Sequence, residues 1–531
     1  MLLPTWSRRL ASGGPLRALW VWCKGEPYRA LVACATVALM AWAAWDLAAR
    51  LAYEARGPIT ADTPIYAAVG RGILNHVPLY SGLFETKPPL IFLLFALSFK
   101  TVGSWALATW VQVAAIAAVS VTPLLLVLRE RRDVNDLAAK AALAVLGGVS
   151  LALYTAVRSG EIQVESFGAA VLVPWIWVCS RRPDLSPPLT RARFLAGSAS
   201  VAAACMTKEP FLLSAIAVGL VNTRSLRDLA EISGMLGLAG LLDVAALLVT
   251  GALGGYVQVY LHEMFGHAAF SNAPIHTGSL LERALEWGRP WDDLWSYAPG
   301  LCIALAGAGF SAVVAEQAER RSALSITIRW AAALSLCSFA IGLSGRYYNH
   351  QYVPAVPFAM AVLVTWLLPD GTAPGAAVAF GSAAAVLGLV AATASHDRPD
   401  LDSQLARLKS RESAAKTAAQ QIDRALDCVG EERYAFIGTN GIQPWGWTVH
   451  SPIGPFFFQY DSWFMPSQEP HRAALLDELK KTRLLVFREL AAGDFNDPLR
   501  KAIDARFHPG LPSRCADIAL AEPWSFRWAE D

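Results

Sequence analysis

The chain has 531 residues, of which 54% are hydrophobic and only 17% charged, with a mean hydropathy of +0.37. Soluble chains carry about 25% charged residues, so this composition is too poor in ions to cover a water-facing surface and too apolar for disorder. Eight cysteines in a chain of this length exclude a small disulfide scaffold, and a formal net charge of +2 leaves no electrostatic footprint for nucleic acid.

What remains is an α-helical polytopic membrane protein. Crossing the hydrocarbon layer takes about 20 mostly apolar residues. Runs of that kind, some of them short, predict about eleven spans, near 29–50, 104–128, 137–157, 166–180, 193–207, 210–222, 231–251, 296–316, 323–343, 351–368 and 374–394. The first run is followed directly by others, so it reads as a span and not a cleaved leader. The run at 88–103 has only 16 residues, opens with Pro88–Pro89 and carries Lys100, which predicts an interfacial helix.

The basic residues agree with that choice. With 88–103 lying on the surface, the N-terminal arginines and lysine (Arg8, Arg9, Arg17, Lys24, Arg29), RERR at 129–132 and the basic stretches at 180–193, 223–227 and 316–321 share one side. The positive-inside rule makes that side cytoplasmic. Residues 1–28 are then a cytoplasmic N-terminus and 29–394 a membrane domain with a first outer loop at 51–103 and a long one at 252–295. Residues 395–531 follow as an extracytoplasmic tail. There the composition turns polar: a solvated helix over 395–426, a strand YAFIG (434–438), a helix HRAALLDELKK (471–481) and a strand LLVF (484–487) predict a small α/β domain. Its Cys428 and Cys515 either pair in an oxidising compartment or stay as buried thiols.

The residues suited to chemistry gather in the outer segments. In GPITADTPIYAAVGRGILNHVPLYSGLFETKPPL (57–90), Asp62 follows the first span closely, where an ion is costly unless it serves a purpose. Thr60, Asp62 and Thr63 would equally cap a helix over PIYAAVGRGIL. Lys87 sets an ammonium at the start of the interfacial helix, where it either attracts an anion such as a lipid phosphate or snorkels beside Glu85. Glu161 and Glu165, four apart, share one helical face and either position a hydroxyl or a cation, or form a solvated helix end beside Arg158.

Lys208–Glu209 interrupts an apolar stretch, as a substrate entry point or as a hairpin before Pro210. RYYNHQYVPAVP (346–357) brings Arg346, Tyr347, Tyr348 and His350 to an outer boundary, where the aromatic belt accounts for the tyrosines but not for the ions. His262, Glu263, His267 and His276 could bind a metal, although HEMFGH has i, i+5 spacing where a helical zinc pair uses i, i+4.

The pattern D-x3-Y-x5-G-x5-P-x-Y with a following K-P-P is here Asp62, Tyr66, Gly72, Pro78, Tyr80 and Lys87–Pro88–Pro89. It resembles the GT-C fold polyprenyl-phosphate-sugar glycosyltransferases (glycosyltransferase family 39). That family includes the dolichyl-phosphate-mannose–protein mannosyltransferases and the bacterial aminoarabinose transferases of lipid A. K-E-P, R-Y-Y-x-H-x6-P and a tail with an aromatic-rich middle also look like bacterial members. The resemblance implies that Asp62 is the catalytic base and that Lys87, Lys208 and Arg346 bind the donor phosphate. It also implies that Glu161 or Glu165 is a second acid near the acceptor, with Tyr66, Tyr80, Tyr347 and His350 as substrate contacts.

This sequence departs from the family in having Thr63 where many members carry a second acid, and Thr86 between Glu85 and Lys87. The resemblance further implies a polyprenyl-phosphate-linked sugar as donor, a hydroxyl of a lipid, glycan or protein as acceptor, and a bacterial inner-membrane location among membrane lipids. No cofactor is required, which leaves a divalent cation at Glu85, His262 or His267 as an option. The rival classes are a transporter or flippase, which predicts inverted repeats and ions near the bilayer midplane, and an O-antigen-type ligase or polymerase. Asp46 and Asp243, inside apolar runs, are the residues to check for the first of these.

Overall fold

A computed structural model describes residues 27–59, 62–129, 137–159, 162–180, 190–223, 225–262, 288–292, 323–342, 349–367, 401–438, 443–454, 457, 469–488 and 497–529. The expected spans near 296–316 and 374–394 lie outside these residues. The long apolar runs fold as helices because a helix satisfies every backbone polar group within itself, which lipid demands.

In chain order the membrane part comprises α1 (Pro27–Ala55), α2 (Asp62–Leu74), α3 (Leu90–Val102), α4 (Ala106–Arg129), α5 (Leu137–Ser159), α6 (Val164–Val171), α7 (Val173–Cys179), α8 (Arg191–Cys205), α9 (Pro210–Asn222), α10 (Leu226–Val249), α11 (Ala323–Gly342) and α12 (Ala355–Leu367). Among the described residues, α4 and α10 are by themselves long and apolar enough to cross a membrane. Leu241, Leu248 and Val249 of α10 are exposed, which suits lipid and not water. Helix α3 has 13 residues. At 1.5 Å per residue it covers about 20 Å, the same length as α9 and α12. The expected span at 166–180 is divided into α6 and α7 around Leu172, just before Pro174, whose missing N–H cannot continue the ladder.

Two apolar cores result. One joins the membrane helices, with Trp175 fully buried and its indole N–H donating to the Ala215 carbonyl at 2.9 Å. The other runs without a break from α2 and α3 into the tail, through Tyr66, Phe92, Phe95, Tyr260, Ile422, Phe436, Trp445 and Phe526.

The tail contains α13 (Leu401–Val429), β1 (Ala435–Ile437), α14 (Glu469–Leu479), β2 (Leu484–Arg488), α15 (Asp497–Arg506), β3 (His508–Pro509) and β4 (Trp524–Trp528). Its sheet has the order β1-β2-β4-β3. Strands β1 and β2 are parallel, joined over α14, while β4 runs antiparallel to β2 with Val486 opposite Phe526. Helix α15 and strands β3 and β4 were not expected from the sequence. Cys428 and Cys515 form a disulfide across 87 positions, tying the end of α13 to the turn before β4.

The tail grips α2. Arg71 Nη1 donates to the Thr448 carbonyl at 2.9 Å, and Asn75 Nδ2 donates to the Val449 carbonyl and Ser451 Oγ, each at 3.1 Å. Trp447 meets Trp105 edge-on at 5.0 Å between ring centres. Gly446 lies directly on Pro64, so that a Cβ there would stand 2.7 Å from Pro64 Cα and Cβ. Backbone cannot yield as a side-chain tip does. Gly446→Ala should therefore weaken the docking by about 1–3 kcal/mol, seen as faster proteolysis after residue 400 and a lower melting temperature. Unchanged cleavage and melting would contradict the close approach.

Candidate functional site

Asp62 is the first residue of α2, where a carboxylate complements the positive end of the helix. One turn later Tyr66 donates its hydroxyl to Asp62 Oδ2 at 3.4 Å. The Tyr66 ring is fully buried and wedged against Phe92 and Phe95 of α3, with centroids 6.0 and 5.9 Å away. Gly70 lets the two helices touch, since a Cβ there would meet Phe95 Cβ at 2.7 Å and Ala96 N at 2.9 Å. The packing of α2 on α3 thus sets where the carboxylate sits.

The loop between these helices is strained. His76 and Tyr80 take left-handed φ values of 60° and 69°, at a cost of about 1–2 kcal/mol each. Tyr80 is held there by burial against Tyr256 and Tyr260, at 5.8 and 5.0 Å between ring centres. Its hydroxyl donates to the Lys87 carbonyl at 3.1 Å, fixing the backbone of that lysine. Lys87 Nζ donates to Glu85 Oε1 at 3.2 Å and to Thr86 Oγ1 at 3.5 Å. Just beyond Pro89, the Leu90 amide donates to the Met206 carbonyl at 3.0 Å. That bond sews the K-P-P segment to the end of α8, two residues short of Lys208.

Lys208 Nζ donates to Glu165 Oε1 as a close ion pair, and His350 Nε2 lies 3.9 Å from the same oxygen. The approach to Glu165 is held by a buried polar chain. Arg50 pairs with Glu54 at 2.6 Å and donates to the Ala156 carbonyl at 2.8 Å. Gln112 donates to Glu54 Oε2 at 3.1 Å and accepts the Gln163 amide at 3.0 Å. Helices α1, α4 and α5 are thereby tied to the loop that presents the acid. Glu165 Oε2 and the neighbouring Ser166 Oγ are buried with no hydrogen-bond partner among the described residues, an arrangement costing about 1–3 kcal/mol per group.

Burial by itself would raise the Glu165 carboxyl, but the Lys208 ammonium, with His350 and Lys87 further off, outweighs it and lowers the pKa to about 2. For His350, burial lowers the pKa, assisted by Lys208 and Lys87 and opposed by Glu165 and Asp62. The imidazole is therefore neutral at pH 7. These mutual influences place Asp62, Lys87, Glu165, Lys208 and His350 in one electrostatic neighbourhood.

Glu209, beside Lys208, accepts a close hydrogen bond from the Tyr260 hydroxyl, and burial pushes its carboxyl up. Tyr260 also stacks on Tyr256 at 4.7 Å. Glu209 belonged to a recognised K-E-P, but its tyrosine partners were missed. The i, i+4 tyrosines of YVQVY were the available signal.

The structure thus brings together seven residues expected from the sequence: Asp62, Tyr66, Tyr80, Lys87, Glu165, Lys208 and His350. Arg346, Tyr347, Glu161 and His267 lie outside the described residues. Of the metal candidates, Glu85 is buried against Lys87 and Thr86, and His262 is exposed. Among the described residues no group of three His, Cys, Asp or Glu could hold a metal ion.

Glu165→Gln would leave Lys208 without its counter-charge and should cost about 3 kcal/mol, with much of it recovered in Glu165→Gln/Lys208→Met. A full-size loss in the double variant would sink the pairing argument. The pH dependence has a definite sign. Glu165, with its pKa depressed to about 2, stabilises the fold above the ordinary carboxylate range of about pH 4, and that stability goes only as pH falls towards 2. His350, also depressed, binds its proton more readily when unfolded, so stability falls with acidification below about pH 6.5. Melting curves between pH 7 and 4.5 should be flatter for His350→Gln than for the native chain.

No family model matches this chain, and no curated protein does. Solved structures do, among them ArnT from Cupriavidus metallidurans in the apo state and the same protein bound to undecaprenyl phosphate. Each has a TM-score of 0.51 and 14% identity over 92% of this chain, covering 98% and 97% of the respective ArnT chains. ArnT is a GT-C polytopic membrane protein. The chain is a polytopic membrane protein of the GT-C fold with a small C-terminal sheet.

Proposed function

We propose that the protein is an inverting glycosyltransferase that moves a monosaccharide from a polyprenyl-phosphate donor to an acceptor hydroxyl at the outer membrane face. The observation that carries the reading is one carboxylate, Asp62, held at a helix start in the same electrostatic neighbourhood as Lys87 and Lys208. The fold shared with ArnT, one structure of which holds undecaprenyl phosphate, supports a lipid-linked phosphate as the leaving group.

The chemistry balances with these groups. Asp62 takes the acceptor hydroxyl proton as that oxygen forms its bond to the anomeric carbon. The bond from that carbon to the phosphate oxygen breaks, and its electron pair leaves with the phosphate. Such an anion is a weak base, so no general acid is needed, unlike the carboxylate pair of a glycosidase. Lys87 and Lys208 supply fixed positive charge where negative charge develops, with Arg346 as a third cation. Attack opposite the leaving group inverts the configuration. Glu85 and Glu165 orient the two lysines, while Glu165 Oε2 and Ser166 Oγ are suited to sugar or acceptor hydroxyls.

On this reading residues 1–28 are cytoplasmic, 29–394 form the catalytic membrane domain of a bacterial inner-membrane protein, and 395–531 are periplasmic. The Cys428–Cys515 disulfide supports an oxidising compartment for the tail. In a donor-turnover assay with the full chain, Asp62→Asn should lower kcat by about 100- to 10,000-fold with the melting temperature kept. Lys87→Met should cost about 100-fold or more. Native-like turnover in Asp62→Asn would overturn the assignment of the base.

A further inference from the structure

Away from the catalytic cluster, a cleft of about 310 Å³ opens where three parts of the chain meet. Its walls are the end of α1, the turn from α3 into α4, and the face of α13 on the tail, with Arg71 and Trp447 closing one side. Asp62, Lys87, Glu165, Lys208 and His350 do not line it. Arg71 lies nine residues beyond Asp62 on α2, about 14 Å along the axis.

The lining is strongly unbalanced in charge. Among the described residues, Arg56, Arg71, Lys409 and Lys416 face it against a single acid, Glu412. Arg56 is paired with Asp402 at 2.7 Å, both side chains exposed, while Lys416 is held at 2.5 Å by Glu412, whose side chain is largely covered. An exposed pair such as Arg56–Asp402 is weak and exchanges readily for a better anion. Arg71 spends one nitrogen on the Thr448 carbonyl and lies over the Phe99 ring at 4.3 Å, but its buried Nε has no hydrogen-bond partner among the described residues. Lys409 has no ion-pair or hydrogen-bond partner among the described residues. Several donors thus converge on one space with little to satisfy them, the arrangement that recognises a phosphate.

The remaining walls say where that phosphate sits. Trp105 and Trp447 meet edge-to-face in the lining, offering indole surfaces for a polyol. Trp110 also lines the cleft and is 58% exposed, in the second turn of α4, a helix able to cross the membrane. Tryptophan at that level of a span marks the headgroup layer. A ligand seated here would have its phosphate among the cations and its acyl chains along α4.

We propose that this cleft binds the phosphate of an anionic glycerophospholipid headgroup and so fastens the tail to the membrane helices. The assignment stands on the cleft alone and does not depend on the transferase reading. The test is native mass spectrometry of the full detergent-purified chain titrated with phosphatidylglycerol and, separately, phosphatidylcholine.

Phosphatidylglycerol should be retained preferentially, and Lys409→Gln/Lys416→Gln should weaken its retention by about fivefold per lysine removed. Glu412→Gln, which removes the one acid among the described lining residues, should strengthen retention and needs no loss of structure to be read. Water-soluble sn-glycerol 1-phosphate separates the sources: failure to displace the lipid at equal concentration supports a membrane-borne headgroup. Displacement at equal concentration would make free phosphate the ligand and overturn the lipid assignment. Equal retention of the two lipids, or of phosphatidylglycerol by the native chain and both variants, would overturn the site.

Discussion

A lysine ammonium and a glutamate carboxylate taken out of water together are the constraint around which this end of the helix bundle is built. Neither Glu165 nor Lys208 is tolerable alone at that depth, because the desolvation of a single charge there costs several kcal/mol. Their pairing therefore fixes the start of α6 against the hairpin between α8 and α9. The neighbouring elements meet secondary requirements of the same kind. The Arg50–Glu54–Gln112 chain satisfies the backbone leading to Glu165, and the Leu90–Met206 bond brings the Lys87 segment alongside Lys208.

The segment from α2 to α3 is the other half of the assembly, and it is shaped from two sides. From the membrane side, α3 and the tyrosines at 256 and 260 hold α2 and the strained Tyr80 loop. From the other side, the tail places Trp445, Trp447 and the 448–451 segment on α2. Strain at a buried non-glycine residue persists only when its surroundings over-determine it. Here the Tyr80 hydroxyl converts that strain into a fixed position for Lys87. The tail is consequently part of what holds α2, the helix that begins with Asp62.

Much of this was legible in the chain. Long apolar runs became α1, α4, α5, α10, α11 and α12, because lipid permits few alternatives to a helix for such segments. The K-P-P and K-E-P signals marked two of the cations and the first-loop motif marked the carboxylate. Short elements were harder to see. Helix α15 is polar with a narrow apolar face, and β4 alternates over only WSFRW, so neither stands out from its flanks. The division into α6 and α7 hangs on Pro174 inside an otherwise even apolar run, and hydropathy alone is blind to it.

Composition was enough to establish a polytopic membrane protein, since solvation by lipid acts on each segment separately. Pairing could not be read in the same way. That Lys208 answers Glu165 and not the adjacent Glu209, that Glu209 turns to Tyr260, and that Cys428 reaches Cys515 all depend on segments 43 to 87 positions apart meeting in space. Periodicity reports only which face of an element is apolar. Which charge stands opposite which is decided by how the elements pack, and that is where this chain acquires its site.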